Sequence, residues 1–345
     1  MADVAALAGV GLRTVSRVMN DDGTVSEGRR AKVADAVSQL HYKPNLTASH
    51  LRRRGGRSMV VGLIVHDVAE PFNATLHGAV QSVARAHGYD VLALGGLEPP
   101  GREREAVDRL IARRVEGLII VTPGDNDHRY LQAEQMSGTA IVFLDSPPNF
   151  LAADSVVTNN RKAAATAVRQ MLDRGHRRVA YLGFGSGAGR LFYTNAERYS
   201  GYCDALRRRG IPVTDAYVRQ NLAEKLAEEA TLELLTRPSP PTAIFSAQPA
   251  LTVGAIRALQ ALKRNETTAL VGFDDFDAAD LLVPGTTVVA QDPVKIGTLA
   301  AEILFRRIEG DMSPISQHVL PAKLIERGSG EIPPDLQPRR GRARG

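Results

Sequence analysis

Nine short apolar runs punctuate residues 58–330, and the stretches between most of them read as helices. The runs are "MVVGLIV" (59–65), "DVLAL" (90–94), "GLIIV" (117–121), "AIVFLD" (140–145), "SVVT" (155–158), "RVAYLG" (178–183), "TAIFS" (242–246), "TALVGF" (268–273) and "TVVAQ" (287–291). Helices are expected between them, for example over 73–87, 160–174, 197–209, 224–236, 249–263 and 293–309. Strands that are apolar at nearly every position are buried on both faces, and strand–helix–strand alternation supplies the covering layers, so the sheets are parallel. Nine strands exceed the roughly five or six of an ordinary open sheet, which predicts two lobes rather than one. A chain of 345 residues is long enough for two or three domains.

The first 57 residues differ from this body. They hold ten Lys and Arg against five Asp and Glu, so they carry the entire formal charge of +5 and residues 58–345 sum to zero. A basic head on a neutral body points to a polyanionic partner for the head alone. "DVAALA" (3–8) reads as a short helix broken by "GVG" (9–11), and Leu12 to Met19 as a second helix. On that second helix Val15, Val18 and Met19 share one face, while Arg13, Ser16, Arg17 and Asn20 share the other. "NDDG" (20–23) is a turn, and Ser26 is placed to cap a third helix reaching about Leu40, with Val33, Val37 and Leu40 facing inward. Two short helices joined by a glycine-containing turn, plus a packing helix, describe a helix-turn-helix unit over residues 1–44. Its second helix would enter a major groove, where an Arg can bond guanine O6 and N7 together. "YKPNLTASHLRRRGGR" (42–57) follows, with a short basic helix and glycines that suit a hinge.

Other chemistries find little support. Cys203 is the only cysteine, which excludes an intrachain disulfide and a multi-cysteine zinc site. The start lacks a signal-peptide pattern and no run approaches about 18 apolar residues, so a cytoplasmic protein without a membrane span is expected. "GFGSGA" (183–188) fits a dinucleotide fingerprint by spacing, but it sits late in the chain and lacks an acidic residue ending a following strand. "DDFDAAD" (274–280) lacks the glycine and terminal glutamate of a calcium loop, and His66, His77, His128 and His176 show no metal spacing. No nucleophile elbow or acid–base pair appears, so no enzyme, metal or cofactor is expected.

The run "DVAALAGV…TVSRVMN…VSE…LHYKPN…A…L" resembles the lactose-repressor family of bacterial transcription regulators. The resemblance extends over nearly the whole chain through "EPFNATLHGAV" (70–80), "RGHRRVAYLG" (174–183), "ERYSGYCDALRRRGI" (197–211), "PPTAIFSA" (240–247), "LVGFDDF" (270–276), "TTVVAQD" (286–292) and "LPAKLIERGS" (320–329), in the family's order. It implies an α/β protein with a small all-α helix-turn-helix head and a two-lobed, parallel-sheet body like a periplasmic binding protein. The head occupies 1–44, a hinge helix and linker 45–57, the effector-binding and dimerisation body 58–330, and a Pro-, Gly- and Arg-rich tail expected to be disordered 331–345.

The same resemblance puts Leu12, Arg13 and Arg17 at base-reading positions, and gives Thr14, Ser16 and Asn20 phosphate contacts or caps. Ala48 and Leu51 match hinge residues that enter a minor groove, with Leu51 as a wedge that kinks the duplex and Arg52 beside it. It implies Phe72, Asn73, Asp145, Arg198, Gln248 and Asp274 as effector contacts at strand ends and helix starts, where ligands of such folds bind. Arg198 would offer a fork of donors, Asp274 a bidentate acceptor and Phe72 an apolar wall.

Several positions depart from the family. Gly11 stands where a Ser usually caps the second helix, a change worth a few tenths of a kcal/mol. Asp3 lies almost at the start, so either the true start is upstream or the first helix is poorly capped. "ASHL" replaces "ARSL", removing a cation from the hinge. Gln248-Pro249 replaces Asn-Asp, and "LKRNETTALVG" is shorter than usual. Asn73 occupies the place of a stacking aromatic in a purine-binding relative, which disfavours a nucleobase and leaves a sugar ahead of other small polar metabolites. The reading is a homodimeric repressor on a pseudo-palindromic operator in double-stranded DNA, responsive to a small polar effector. The alternatives are a solute-binding protein of a transporter and a regulator responding to a non-sugar metabolite.

Overall fold

The computed structural model describes residues 1–19, 24–42, 57–95, 102–122, 126–185 and 192–334. The chain divides into two compact units, Met1–Met59 and Val60–Gly345.

The first unit is helical. Helix α1 (Ala2–Ala8) ends where Gly9 adopts φ 63°, with the Gly9 and Val10 amides bonding back to Ala6 and Ala5. Glycine takes that left-handed conformation without a Cβ clash, so it turns the chain tightly into α2 (Leu12–Met19). The Gly11 carbonyl accepts from Thr14 and Val15, which starts α2 without any side-chain cap. Helix α3 (Glu27–Gln39) packs across both, and Val4, Ala5, Ala8, Val15, Val33 and Ala36 form the small core. Ser26 begins α3 by its backbone only; its side chain makes no capping bond. Val37 packs at the rim, but Leu40 is exposed rather than inward, because α3 ends at Gln39 and the chain turns away through His41 at φ 45°.

The second unit holds two six-stranded sheets. Strands β1 (Val60–Ile64), β2 (Asp90–Leu94), β3 (Gly117–Val121), β4 (Ala140–Leu144) and β5 (Asp154–Thr158) build the first, with α4 (Pro71–Ala86), α5 (Arg102–Ala112) and α6 (Gln132–Met136) between them. Helix α7 (Asn160–Asp173) leads into the second sheet, made of β6 (Val179–Phe184), β7 (Val218–Leu222), β8 (Ala243–Ser246), β9 (Ala269–Phe273) and β10 (Thr287–Ala290). Helices α8 (Tyr193–Arg208), α9 (Ala227–Leu235) and α10 (Pro249–Ala261) alternate with those strands, and α11 (Pro293–Ile308), β11 (Gln317–Leu320) and β12 (Lys323–Ile325) complete the unit. The first sheet runs β2-β1-β3-β4-β5-β11 and the second β7-β6-β8-β9-β10-β12. The two lobes thus repeat one strand order, all parallel except the β10–β12 pair.

Among the described residues twelve strands replace the nine expected, and the three additions, β7, β11 and β12, all lie at sheet edges. Helix α8 begins at Tyr193, a full turn before the expected 197, and the expected helix over 224–236 is a 3-10 turn (Glu224–Leu226) followed by α9. The first residues of the expected tail are folded. Glu331 accepts hydrogen bonds from Thr287 Oγ1 and the Gly328 amide at 2.7 Å each, and the Ile332 carbonyl lies 2.9 Å from Nε2 of buried His176. Residues 331–334 are therefore folded onto the second lobe, and 335–345 lie outside the described residues.

The chain passes between lobes three times, after β5, after β10 and after β11. Helix α11 returns to the first lobe, where Gly297 lies so close to α4 that an added Cβ would sit 2.7 Å from the Leu76 carbonyl. The crossings are bonded side by side. The Asn159 amide donates to Leu320 O at 3.0 Å, the Ala322 amide donates to Asn159 Oδ1 at 3.0 Å, and Thr158 Oγ1 donates to Gln291 Oε1.

Candidate functional site

Two surfaces hold the residues singled out in the sequence, one in each unit. On α2, Val15 is fully buried while Val18 and Met19 pack at the edge of the core. That leaves Leu12, Arg13 and Arg17 exposed, with Thr14 and Ser16 at intermediate depth. Leu12 exposes 56% of its surface at the helix start, an apolar group placed beside two guanidinium-bearing side chains. Such a face can contact thymine methyls, guanine edges and phosphates. Asn20, Ala48, Leu51 and Arg52 lie outside the described residues.

The second surface is the cleft between the lobes, a cavity of about 680 Å³ open to solvent. Phe72, Asn73, Asp145, Arg198, Gln248 and Asp274 all line it. The repeated strand order explains how. Asp145 follows β4 and Asp274 follows β9, at equivalent ends of the two sheets. Both adopt φ 67°, and each amide donates to the next strand, Asp145 to Val156 O at 3.1 Å and Asp274 to Val289 O at 2.9 Å. Asn73 and Asn195 are likewise each the third residue of the helix after the first strand of a lobe, and both are buried. Asn73 Nδ2 donates to Asp67 O at 2.8 Å, and Asn195 Nδ2 to Phe184 O at 3.0 Å, each fastening its helix to the loop or strand end before it.

Arg198 breaks this symmetry and organises the cleft. It is 4% exposed, in the second turn of α8. Its Nε donates to Asn160 Oδ1 at 2.8 Å, Nη1 to Ala247 O at 2.6 Å, and Nη2 lies 3.4 Å from Asp274 Oδ2. The guanidinium stacks over Phe273 at 3.7 Å from the ring centre, a contact worth about 1–2 kcal/mol when desolvated. Gln291 Nε2 donates to Asp274 Oδ1 at 2.7 Å, and Gln291 also accepts from Thr158, so the cleft carboxylate is bonded through one side chain to the crossing segments. Phe72, Phe184 and Phe192 supply aromatic wall, with Phe184 and Phe192 stacked at 5.6 Å.

The charges are unbalanced. Burial, then Asp274 and Asp145, push the Glu70 carboxyl up to about 7, against the opposing pull of Arg198. Burial, opposed by Arg198 and reinforced by Asp274, pushes Asp145 up to about 6. Asp274 is also raised, mainly by burial, with Arg198 and Gln291 opposing. Three carboxyls thus face the one arginine that lines the cleft among the described residues, and a concave site with crowded acids and an aromatic wall is suited to binding a small polar molecule.

Sequence reasoning missed His66, Glu70, Thr122, Asn195 and Gln291, which also line the cavity. Glu70 was legible as an acid immediately before Pro71, the first residue of α4. Gln291 was legible as the polar end of "TVVAQ". Gln248 begins α10 with Pro249 in its first turn, and its Oε1 is buried without a partner among the described residues.

Residues 1–45 match the family model for bacterial regulatory proteins of the lacI family, and residues 168–330 match a periplasmic binding protein-like domain. The ribose operon repressor of Escherichia coli strain K12 is 29% identical over 333 residues, covering 95% of this chain and 99% of that protein. The crystal structure of the Lac repressor dimer bound to operator and the anti-inducer ONPF aligns with TM-score 0.77 and 26% identity, over 95% of this chain and 98% of that one. A complex of the transcriptional regulator CelR with cellobiose aligns with TM-score 0.68 and 27% identity over the same shares.

Proposed function

This chain belongs to the lacI family of bacterial regulatory proteins and is a DNA-binding transcriptional repressor, and from that premise we propose how its residues divide the work. Two copies bind a pseudo-palindromic operator, each placing α2 in the major groove of one half-site. Leu12, Arg13 and Arg17 read bases; Thr14, Ser16 and Asn20 contact phosphates; Ala48, Leu51 and Arg52 act in the minor groove at the dyad. A small hydroxylated effector, of the sugar class, occupies the cleft. Arg198 and Asp274 hold its hydroxyls, Asn73, Asp145 and Gln248 add polar contacts, and Phe72 covers its apolar face. The protein acts in the cytoplasm, as a regulator rather than an enzyme, and takes no cofactor.

The observation that carries this reading is the exposed Leu12–Arg13–Arg17 face on a helix whose opposite side is locked into a core. A transporter's solute-binding protein has no use for such a face or for a basic head. Effector control requires unequal binding to two states. The link from Asp274 through Gln291 to Thr158 offers a route by which cleft occupancy biases the lobe angle.

The test is a selection of genomic fragments by the purified protein at stated salt, since affinities for DNA depend steeply on it. An enriched pseudo-palindrome whose retention changes when sugars are added supports the reading. Sequence-independent retention, unaltered by any small molecule, refutes it.

A further inference from the structure

The polar groups of the cleft are not evenly divided between donors and acceptors. Each of its named donor groups already makes at least one bond within the protein, with N–H hydrogens of Arg198, Asn195 and Gln291 left over. Arg198 donates to Asn160 and Ala247 and faces Asp274, Asn73 Nδ2 donates to Asp67 O and Glu70 Oε2, Asn195 Nδ2 donates to Phe184 O, and Gln291 Nε2 donates to Asp274. Two buried atoms have no partner among the described residues: Gln248 Oε1, an acceptor, and His66 Nδ1, which accepts in one tautomer and donates in the other. Glu70 receives the Asn73 amide on Oε2 at 2.9 Å. Around Glu70 stand Asp67 on its own loop, Asp145 after β4 and Asp274 after β9, with Arg198 of α8 as the opposing charge. Arg198 faces Asp274, and among the described residues that line the cleft no second Lys or Arg stands by Glu70 or Asp145.

We infer that the effector of this protein carries a protonated nitrogen on a hydroxylated frame, as an amino sugar or aminopolyol does, and that Glu70 is the residue that selects it. The inference rests on the cleft being the effector site. An ammonium brings three donors and one positive charge to a cavity rich in acceptors and short of cations, and its charge-assisted bonds to carboxylates are strong. The aromatic surface of Phe72 and Phe192 suits the apolar face of the same molecule, and a ring face also attracts a cation. A phosphorylated sugar meets the reverse situation, since its oxygens would confront Glu70 and Asp145, and the one arginine lining the cleft among the described residues is already bonded to Asn160 and Ala247 and faces Asp274. Because Glu70 is half protonated near neutral pH, binding of the cation there releases a proton, and affinity rises with pH through about 7 as Glu70 ionises.

Isothermal calorimetry at pH 8 with the full-length protein tests this on matched probes. The neutral probes are D-glucose and D-sorbitol, their amine counterparts 6-amino-6-deoxy-D-glucose and 1-amino-1-deoxy-D-sorbitol, and the anion glucose 6-phosphate. The expected result is at least one amine binding about tenfold more tightly than its neutral counterpart, with no heat from the phosphate. In Glu70→Gln, which keeps the acceptor for Asn73, that advantage collapses toward unity. Neutral probes binding as tightly as their amines, a phosphate binding more tightly than either, or an amine preference that survives Glu70→Gln each overturns the inference while leaving the effector site intact. No binding by any probe overturns the inference and the sugar-class effector reading together.

Discussion

Replacing Arg198 by Met is the sharpest probe of how the cleft is held. The substitution keeps an unbranched apolar stem against Phe273 and removes the guanidinium. Three partners lose their donor: Asn160 Oδ1, the Ala247 carbonyl and Asp274 Oδ2. Breaking a buried ion pair from one side costs about 3–5 kcal/mol, because the surviving charge stays buried. Protonation limits that cost. Burial already raises the Asp274 and Asp145 carboxyls, and Arg198 is what opposes the rise in both. A carboxyl whose folded pKa is raised contributes stability that is complete below its unfolded value and is lost as pH climbs through the folded one. Without Arg198 both folded values climb further, so the variant loses more than the wild type between pH 5 and pH 8. We expect a deficit of about 3 kcal/mol at pH 8, or about 6–10 °C in the unfolding of the body. At pH 5, below the folded value of about 6 for Asp145, it should fall to less than about half of that. The chain has no Trp, so calorimetry or tyrosine fluorescence is the appropriate readout. A deficit equal at both pH values would show that Arg198 contributes packing rather than charge compensation. A deficit below about 1 kcal/mol at pH 8 would show that its contacts are no stronger than those of a surface pair.

Asp145→Asn should flatten the stability–pH profile of the unliganded protein. The wild-type acid loses about 2–3 kcal/mol as pH rises from about 4 through 6, whereas the amide has nothing to titrate and tolerates the left-handed φ; an unchanged slope in urea melts at several pH values would count against it. Arg17→Ala should cost about 1–3 kcal/mol on the enriched operator and relax preference at one base pair, and uniform weakening across sequences in a titration would mark Arg17 as a phosphate contact instead. Leu51→Ala should weaken specific binding far more than non-specific binding, with equal losses removing the wedge. Gly201→Ala should destabilise the second lobe by about 2 kcal/mol or more in calorimetry, since its Cβ would sit 2.2 Å from the Arg161 carbonyl of α7; an unchanged melting temperature would mean that α7 and α8 can separate freely.

The central strands were readable because burial on both faces writes itself as uninterrupted apolar sequence. β3, β4 and β9 are buried at every position. Of the four edge strands only β2, "DVLAL", is apolar enough to show; the other three carry no such mark. β7 is "VRQNL", β11 "QHVL" and β12 "KLI", each short and mixed because an edge strand has a partner on one side only. The cleft was half legible. Asp145, Gln248 and Asp274 announce themselves as polar residues directly after apolar runs, and Phe72 and Asn73 as the start of a helix. Arg198 appeared to open its helix and instead sits in the second turn, because "YTNA" extends α8 backward through Asn195. Glu70, His66 and Gln291 were missed because their meaning depends on two sheets converging, and residues 70 and 291 have no neighbourhood in one dimension. The duplication of Asp145 by Asp274, and of Asn73 by Asn195, was invisible for the same reason.

The three passages between lobes bear on how the protein is made. The first lobe is neither contiguous nor complete when β5 leaves the ribosome. It still lacks α11, which covers α4 and the β3 side, and β11, its edge beside β5. Both arrive only after the whole second sheet except β12 has been synthesised. The first lobe must therefore wait, partly uncovered, for almost the entire polypeptide. A nascent chain halted between residues 160 and 290 holds no finished lobe, and the sites that both lobes build together exist only in chains that have been translated nearly to their end.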